Sequence, residues 1–212
     1  MSEESRLREE IASLGRMLHD LGLSHGSTGN ISARLDDGWL LTPTNSRLGR
    51  LDPARIAKLD EAGNHLGGDP PSKEAFLHQG MYDLRGSARA IVHLHSTHSV
   101  AVSCLAGLDP LDVLPPITAY YVMRVGRLPL VPYFPPGDRR LADAVRAVAK
   151  DHAAVLLANH GPVVAGKSLD AAAGAIEELE VTARLYLLLH GHDIRPLTGG
   201  QVEELRRQFP TG

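Results

Sequence analysis

Leu7, Ile11, Leu14, Leu18 and Leu21 recur at intervals of three and four with polar residues between them, the spacing that lines one face of a helix. An opening helix is predicted from Ser5 to about Asp20, closed by Gly22. The period then changes. "NISARLDDGWLLTP" holds two β-rich runs around Asp36-Asp37-Gly38, a hairpin signature. "LDPARIAKLD" starts a short helix with Asp52 as N-cap and Pro53 in its first turn, ahead of a strand and turn in "KLDEAGNH". In "GGDPPSKEAFLHQGMYDLR" a Gly/Pro turn leads into a helix with Ser72 as N-cap and an apolar face of Phe76, Leu77, Met81 and Leu84. Lys73 and Glu74 are therefore expected in that helix's first turn.

Further on, "AIVHLHS" reads as a strand, "THSVAVSCLAG" as a helix, "LPLVPY" as a strand and "RRLADAVRAVAKD" as a helix. "AAVLLANHGPVVAGKS" is two apolar β-like runs broken by a tight "NHGP" turn. A long helix from about Leu169 to His190 carries Ile176, Leu179, Ala183, Tyr186 and Leu187, and "GQVEELRRQF" forms a last short one. Helices and hairpins without regular βαβ alternation predict an α/β protein, a three-layer α/β/α sandwich around a mainly antiparallel sheet. No repeat or linker interrupts residues 1–212, so a single domain is expected.

Composition adds exclusions. The 212 residues are 43% hydrophobic and 22% charged, as in ordinary globular domains. The longest apolar runs fall short of the roughly 20 residues a bilayer span needs, and "MSEESRLREE" is charged where a signal peptide would be apolar. A cytoplasmic protein without a membrane partner is expected. Cys104 is the single cysteine, so no intrachain disulfide can form, and its apolar surroundings suggest an inert thiol in the core. A net charge of −3 without a Lys/Arg run argues against nucleic acid as a partner.

The chemistry concentrates in the 11 histidines. In a strand, Ile91, His93 and His95 share one face while Val92 and Leu94 share the other. Burying two polar rings on one face costs several kcal/mol unless something pairs with them, and a divalent metal does so. Such a site takes about three protein ligands, and His160, at the "ANHGPVV" turn, is the best third candidate. His98, at the strand-to-helix junction, stays off the ligand set, and solvated or structural roles suffice for the remaining histidines. "GSTGNIS" at 26–32, "TPTNSR" at 42–47 and Ser72-Lys73 at a helix start are each suited to an anion. Glu74 is the carboxylate beside these pieces, a capping residue by default and an acid/base or metal ligand in the sharper reading.

Taken in order, "GSTGNIS", "LTPTNSRLGRLDP", "PSKEAFLH", "IVHLHSTHSVAVS" and "ANHGPVVAG" resemble the class II aldolase/adducin family over about Leu7 to Leu188. The resemblance implies the three-layer fold, a homotetramer with sites at subunit interfaces, and one divalent ion per subunit, most simply zinc. It implies metal ligands at His93, His95 and His160, with Glu74 as the acid/base that also contacts the metal when substrate is absent. It implies phosphate contacts at Gly29, Asn30, Thr44, Asn45, Ser72 and Lys73. Tyr120 or its neighbour Tyr121 falls near a tyrosine that the aldolases use, and Tyr120 is taken as the assisting residue.

Two features depart from the fuculose-phosphate aldolases of the family, which carry Ser-Ser where this chain has Ser72-Lys73 and end in a tail tyrosine, whereas nothing after Tyr186 is a tyrosine here. "PSKE" and "LDVLPPITAYYVMRVGRLPLVPYFPPGD" are most similar to the members that decarboxylate 3-oxo-tetronate 4-phosphate through a metal-stabilised enediolate. The resemblance thus implies a carbon-carbon lyase acting on a small phosphorylated sugar acid. A class II sugar-phosphate aldolase and a sugar-phosphate epimerase or dehydratase are the enzymatic alternatives. An adducin-like binding module is the non-enzymatic one, for which loss of the histidines would be expected. Arg124 and Arg127 are read as surface charges rather than as the group that receives the substrate carboxylate.

Overall fold

A computed structural model describes residues 1–135 and 137–209 of the chain. Helix α1 (Glu3–Asp20) begins where the Ser2 side chain accepts from the Ser5 N–H and buries Leu7, Ile11, Leu14 and Leu18. The hairpin of β1 (Asn30–Leu35) and β2 (Gly38–Leu41) follows. Asp52 caps a single 3₁₀ turn, Pro53–Arg55, by accepting from Ala54 N, and β3 (Ala57–Leu59) folds back on β4 (His65–Gly67). Next come α2 (Ala75–Leu84), β5 (Ala90–His93), α3 (Thr97–Ser103) and α4 (Ala119–Arg124). The chain continues through β6 (Leu130–Val131), α5 (Arg140–Ala149), β7 (Ala154–Leu157), β8 (Gly161–Gly166), α6 (Leu169–Leu188) and α7 (Gly199–Gln208).

One eight-stranded sheet runs in the order β4-β3-β2-β1-β5-β8-β7-β6, antiparallel throughout except for the β6–β7 pair. Strand alternation sends Val92 and Leu94 to one face and Ile91 to the other. The first face packs on α1, α4 and α6 through Ile11, Leu18, Tyr121, Ile176 and Leu179. The second packs on α2 and α5 through Leu77, Met81, Leu141 and Val145. These are the three layers expected. No helix among the described residues is long and apolar enough to cross a membrane.

Four local expectations are corrected. The strand expected over "AIVHLHS" ends at His93, because its neighbour in the ladder beyond Val163 is Pro162, which has no N–H to donate. His95 therefore sits just past the strand. Helix α2 starts at Ala75, with Glu74 rather than Ser72 at the N-cap, so Lys73 and Glu74 lie in the turn ahead of the helix. The Ser72 hydroxyl accepts from Glu74 N at 3.3 Å, while the Glu74 carboxylate makes no capping bond because it is engaged elsewhere. Cys104 is exposed: α3 stops at Ser103 and leaves the thiol beyond its last turn. "LPLVPY" contributes only a two-residue strand, and α4 falls in a stretch for which no element was expected.

Candidate metal and acid/base site

Three chain segments meet at one end of the sheet. Asn30, the first residue of β1, lies opposite His93, the last of β5. The turn from β7 into β8 brings His160 alongside, since β8 pairs with β5 as well as β7. Two glycines allow this approach. A Cβ on Gly161, at φ +156°, would stand 2.3 Å from the Leu94 carbonyl oxygen. A Cβ on Gly29, at φ +80°, would stand 2.9 Å from that of His93. Gly161→Ala is therefore expected to push the His160 segment away from His93 and His95 and to weaken divalent-ion affinity by at least about tenfold, an effect of the size seen when ligand orientation is disturbed. Competition with a fluorescent chelator measures it, and unchanged affinity would refute the close-approach argument.

The imidazoles of His93, His95 and His160 converge through their Nε2 atoms, at 3.1 Å (His93–His95), 3.3 Å (His93–His160) and 2.9 Å (His95–His160). The Nδ1 of His93 is 2.8 Å from the Pro162 carbonyl. A carbonyl only accepts, so Nδ1 carries the proton and Nε2 keeps its lone pair for an ion. Glu74 completes the group, with Oε1 3.2 Å from His160 Nε2 and Oε2 3.5 Å from His93 Nε2. One donor atom from each of the four residues lies within 4.8 Å of the others. An ion bound about 2.0–2.1 Å from each nitrogen would separate them by about 2.9 Å at right angles and about 3.4 Å at tetrahedral angles. The three separations fall in that range, so the donor set fits a divalent metal.

The electrostatics favour the same use. Burial lowers the pKa of His93, and it pushes His95 down to about 3 with help from His93 and His160. Both rings are neutral donors at neutral pH. Burial alone would raise the Glu74 carboxyl, but His93, His160 and the Asn30 amide outweigh it and hold the group well below the usual carboxylate range.

Among the expected phosphate contacts, Asn30 Nδ2 donates to Ser72 Oγ at 3.2 Å and to Glu74 Oε2 at 2.7 Å. The loop holding Thr44 and Asn45 is pinned beside the Ser72 segment, with Thr44 N donating to Pro70 O and Ser72 N to Thr42 O. Asn45 adopts φ +57°, a left-handed turn conformation that asparagine tolerates. Gly29 and Asn30 thus adjoin His93, Ser72 is bonded to Asn30 and the Thr44–Asn45 turn lies beside the Ser72 segment, whereas Lys73 is exposed and lines a groove between α2 and α5 with Trp39, Phe76 and Arg139. Tyr120 is 59% exposed on α4, with the Arg124 guanidinium 5.8 Å from its ring centre. Arg124 in turn donates to the Gly174 carbonyl.

His98 lies outside the cluster, its Nδ1 2.8 Å from Glu180 Oε1. Glu180, on α6, also accepts from His98 N, Ser99 N and Ser99 Oγ at 2.7–2.9 Å, so it caps α3 from another helix and fixes the segment that follows His95. The sequence reading missed this role, although a carboxylate four residues after Ile176 on the apolar stripe of α6 is a visible signal. Burial raises the Glu180 carboxyl, but these bonds lower it further, to a net value below its ordinary 4.5. A depressed carboxyl stabilises the fold above its unfolded pKa and loses that contribution as pH falls through the native one. Glu180→Ala, which leaves buried donors unpaired at a cost of about 1–3 kcal/mol, should melt lower than wild type at pH 7, with the gap closing as pH falls below about 4. Thermal melts across pH test this, and a gap that stays constant would refute it.

A model of the class II aldolase and adducin N-terminal domain matches residues 9–187. Curated relatives include the 3-oxo-tetronate 4-phosphate decarboxylases of Escherichia coli, 50% identical over 96% of each chain, and of Cupriavidus necator, 49% identical over 99% of this chain and 98% of that one. The L-fuculose phosphate aldolase of Haemophilus influenzae is 36% identical over 90% and 88% of the two chains. Among solved structures, YgbL from Escherichia coli superposes with a TM-score of 0.95 at 48% identity, over 97% of this chain and 100% of that one.

Proposed function

The chain belongs to the class II aldolase and adducin family, and from that premise we propose that it decarboxylates 3-oxo-tetronate 4-phosphate to dihydroxyacetone phosphate and carbon dioxide. The observation that carries the choice is identity of about half with decarboxylases over nearly both full lengths, against 36% with a fuculose-phosphate aldolase. In this reading His93, His95 and His160 hold one divalent ion, which we take to be zinc, and imidazole donors suit that metal. When bound, the ion supplies a Lewis acid for the C3 ketone oxygen, which must take up the electron pair released as carbon dioxide departs.

The protein's residues perform the rest. Gly29, Asn30, the Thr44–Asn45 turn and Ser72 anchor the phosphate through amide and hydroxyl donors, while Lys73, exposed in the groove between α2 and α5, is not assigned to it. The bond from C1 to C2 breaks, C1 leaves as neutral carbon dioxide, and C2 needs one proton. Glu74 delivers it. The contacts with His93 and His160 that depress its carboxyl are lost when substrate displaces it, and burial then raises its pKa so that it can hold a proton. Because carbon dioxide leaves uncharged, no second base is required. The reading further takes the enzyme as a cytoplasmic homotetramer with sites between subunits, where the exposed Tyr120 serves the site of a neighbouring copy.

The test is a product assay on purified zinc-loaded protein. Release of carbon dioxide together with dihydroxyacetone phosphate from 3-oxo-tetronate 4-phosphate is expected. No turnover of that compound alongside brisk cleavage of fuculose 1-phosphate would assign an aldolase instead, and conversion without dihydroxyacetone phosphate would assign an epimerase or dehydratase.

A further inference from the structure

A buried polar chain runs behind Glu74. Glu74, His78 and Tyr82 are spaced by four along the N-cap and body of α2, so they share one face. Across from them stand Asn30 and Ser32, which point the same way from β1. Asn30, Ser32, His78 and Tyr82 are each at most 4% exposed. Tyr82 Oη lies 2.8 Å from Ser32 Oγ, Ser32 Oγ lies 2.7 Å from His78 Nδ1, and His78 Nε2 lies 2.5 Å from Asn30 Oδ1. The Asn30 amide then donates to Glu74 Oε2. Trp39 stacks on the His78 ring at 6.4 Å and meets Tyr82 edge-on at 5.8 Å, which fixes both rings.

The direction of every bond follows from one end. An ionised Glu74 can only accept, so Asn30 turns its NH₂ towards Glu74 and Ser72 and its oxygen towards His78. That oxygen accepts too, so His78 carries its proton on Nε2 and leaves Nδ1 bare. Ser32 must donate to Nδ1, and the Tyr82 hydroxyl donates to Ser32. Burial agrees with each assignment: it pushes His78 down to about 3, keeping the ring neutral, and raises Tyr82 so that its hydroxyl stays protonated. An apolar core would be cheaper at these positions, since satisfied polar groups barely offset their desolvation. What such a chain provides is orientation.

We propose that His78 is a positioning residue: its Nε2–H locks the Asn30 amide so that the donor side faces both the acid/base carboxylate and the phosphate loop. The proposal rests on the decarboxylase reading of the site for its kinetic consequence, but the tautomer is a property of the protein alone. Nitrogen NMR of the zinc-loaded full chain should show His78 as the Nε2–H tautomer at neutral pH. His78→Leu, which frees the Asn30 amide to flip, should lower kcat by about 10²-fold, the scale of a misplaced catalytic group, with metal content unchanged. His78→Gln places an amide donor near the Nε2 position and should recover most of that loss. A merely structural role would make both variants lose rate in step with stability. Equal loss in Leu and Gln variants of equal stability would overturn the proposal, as would an Nδ1–H or doubly protonated ring in wild type. Should the Leu variant fail to fold, the Gln variant and the tautomer still decide. If wild type released no carbon dioxide, the substrate reading would fall, and the tautomer would decide this proposal by itself.

Discussion

Glu74→Gln is expected to reduce carbon dioxide release by at least about 10³-fold while leaving the metal bound, within the range that loss of a positioned acid/base produces. The substitution keeps shape and removes the carboxyl that, among the described residues, stands with the three histidines and is proposed to carry the proton to C2. Three imidazoles remain to hold the ion, because Glu74 stands 3.2 and 3.5 Å from two of their nitrogens but supplies none of the three converging lone pairs. The substituted side chain retains a carbonyl oxygen that can accept from Asn30, so the loop should keep its form. Paired measurement of kcat and metal content checks this. Full activity would remove Glu74 from its role, and loss of metal along with activity would mean that it is chiefly a ligand.

His93→Ala should abolish both metal binding and turnover. Of the three clustered histidines, His93 has no solvent exposure, and the Pro162 carbonyl dictates its tautomer. Losing a partner outside the ligand set typically costs about 10–100-fold in metal affinity, so removing a ligand itself should cost more. His95 and His160 would still face each other at 2.9 Å, but two donors leave the ion open to solvent and to chelators. Elemental analysis after dialysis against a weak chelator, with far-ultraviolet circular dichroism as a folding control, measures the effect. Retention of one ion per chain in the folded variant would contradict the assignment of His93 as a ligand.

Much of the architecture was legible because burial imposes period. Leu7, Ile11, Leu14 and Leu18 of α1 and the apolar stripes of α5 and α6 follow the helical repeat, whereas Leu21 and Leu84, at the ends of the stripes expected for α1 and α2, are exposed. The alternation in "AIVHL" places Val92 and Ile91 in opposite cores. Histidine on an otherwise apolar strand was the strongest chemical signal, since only a compelling partner justifies it. Local rules failed where function overrides them. Glu74 occupies an N-cap without capping, so a reading based on helix starts chose Ser72. His78 lies on a helix whose stripe looks ordinary, and although Glu180 visibly interrupts the stripe of α6, the partners of the two, Ser32, Asn30 and Ser99, stand 46, 48 and 81 positions away. No local pattern encodes such pairings. Cys104 was misplaced for a simpler reason: the apolar run in which it sits outlasts the helix, which ends at Ser103.

The central claim is that one divalent ion, shared by His93, His95 and His160, makes decarboxylation possible. Its most direct test is to strip the purified protein of metal and follow carbon dioxide release from 3-oxo-tetronate 4-phosphate as zinc is titrated back. Activity should vanish on stripping and return in a line that breaks at one equivalent per chain. Turnover by the stripped protein at the rate of the loaded one would contradict the account.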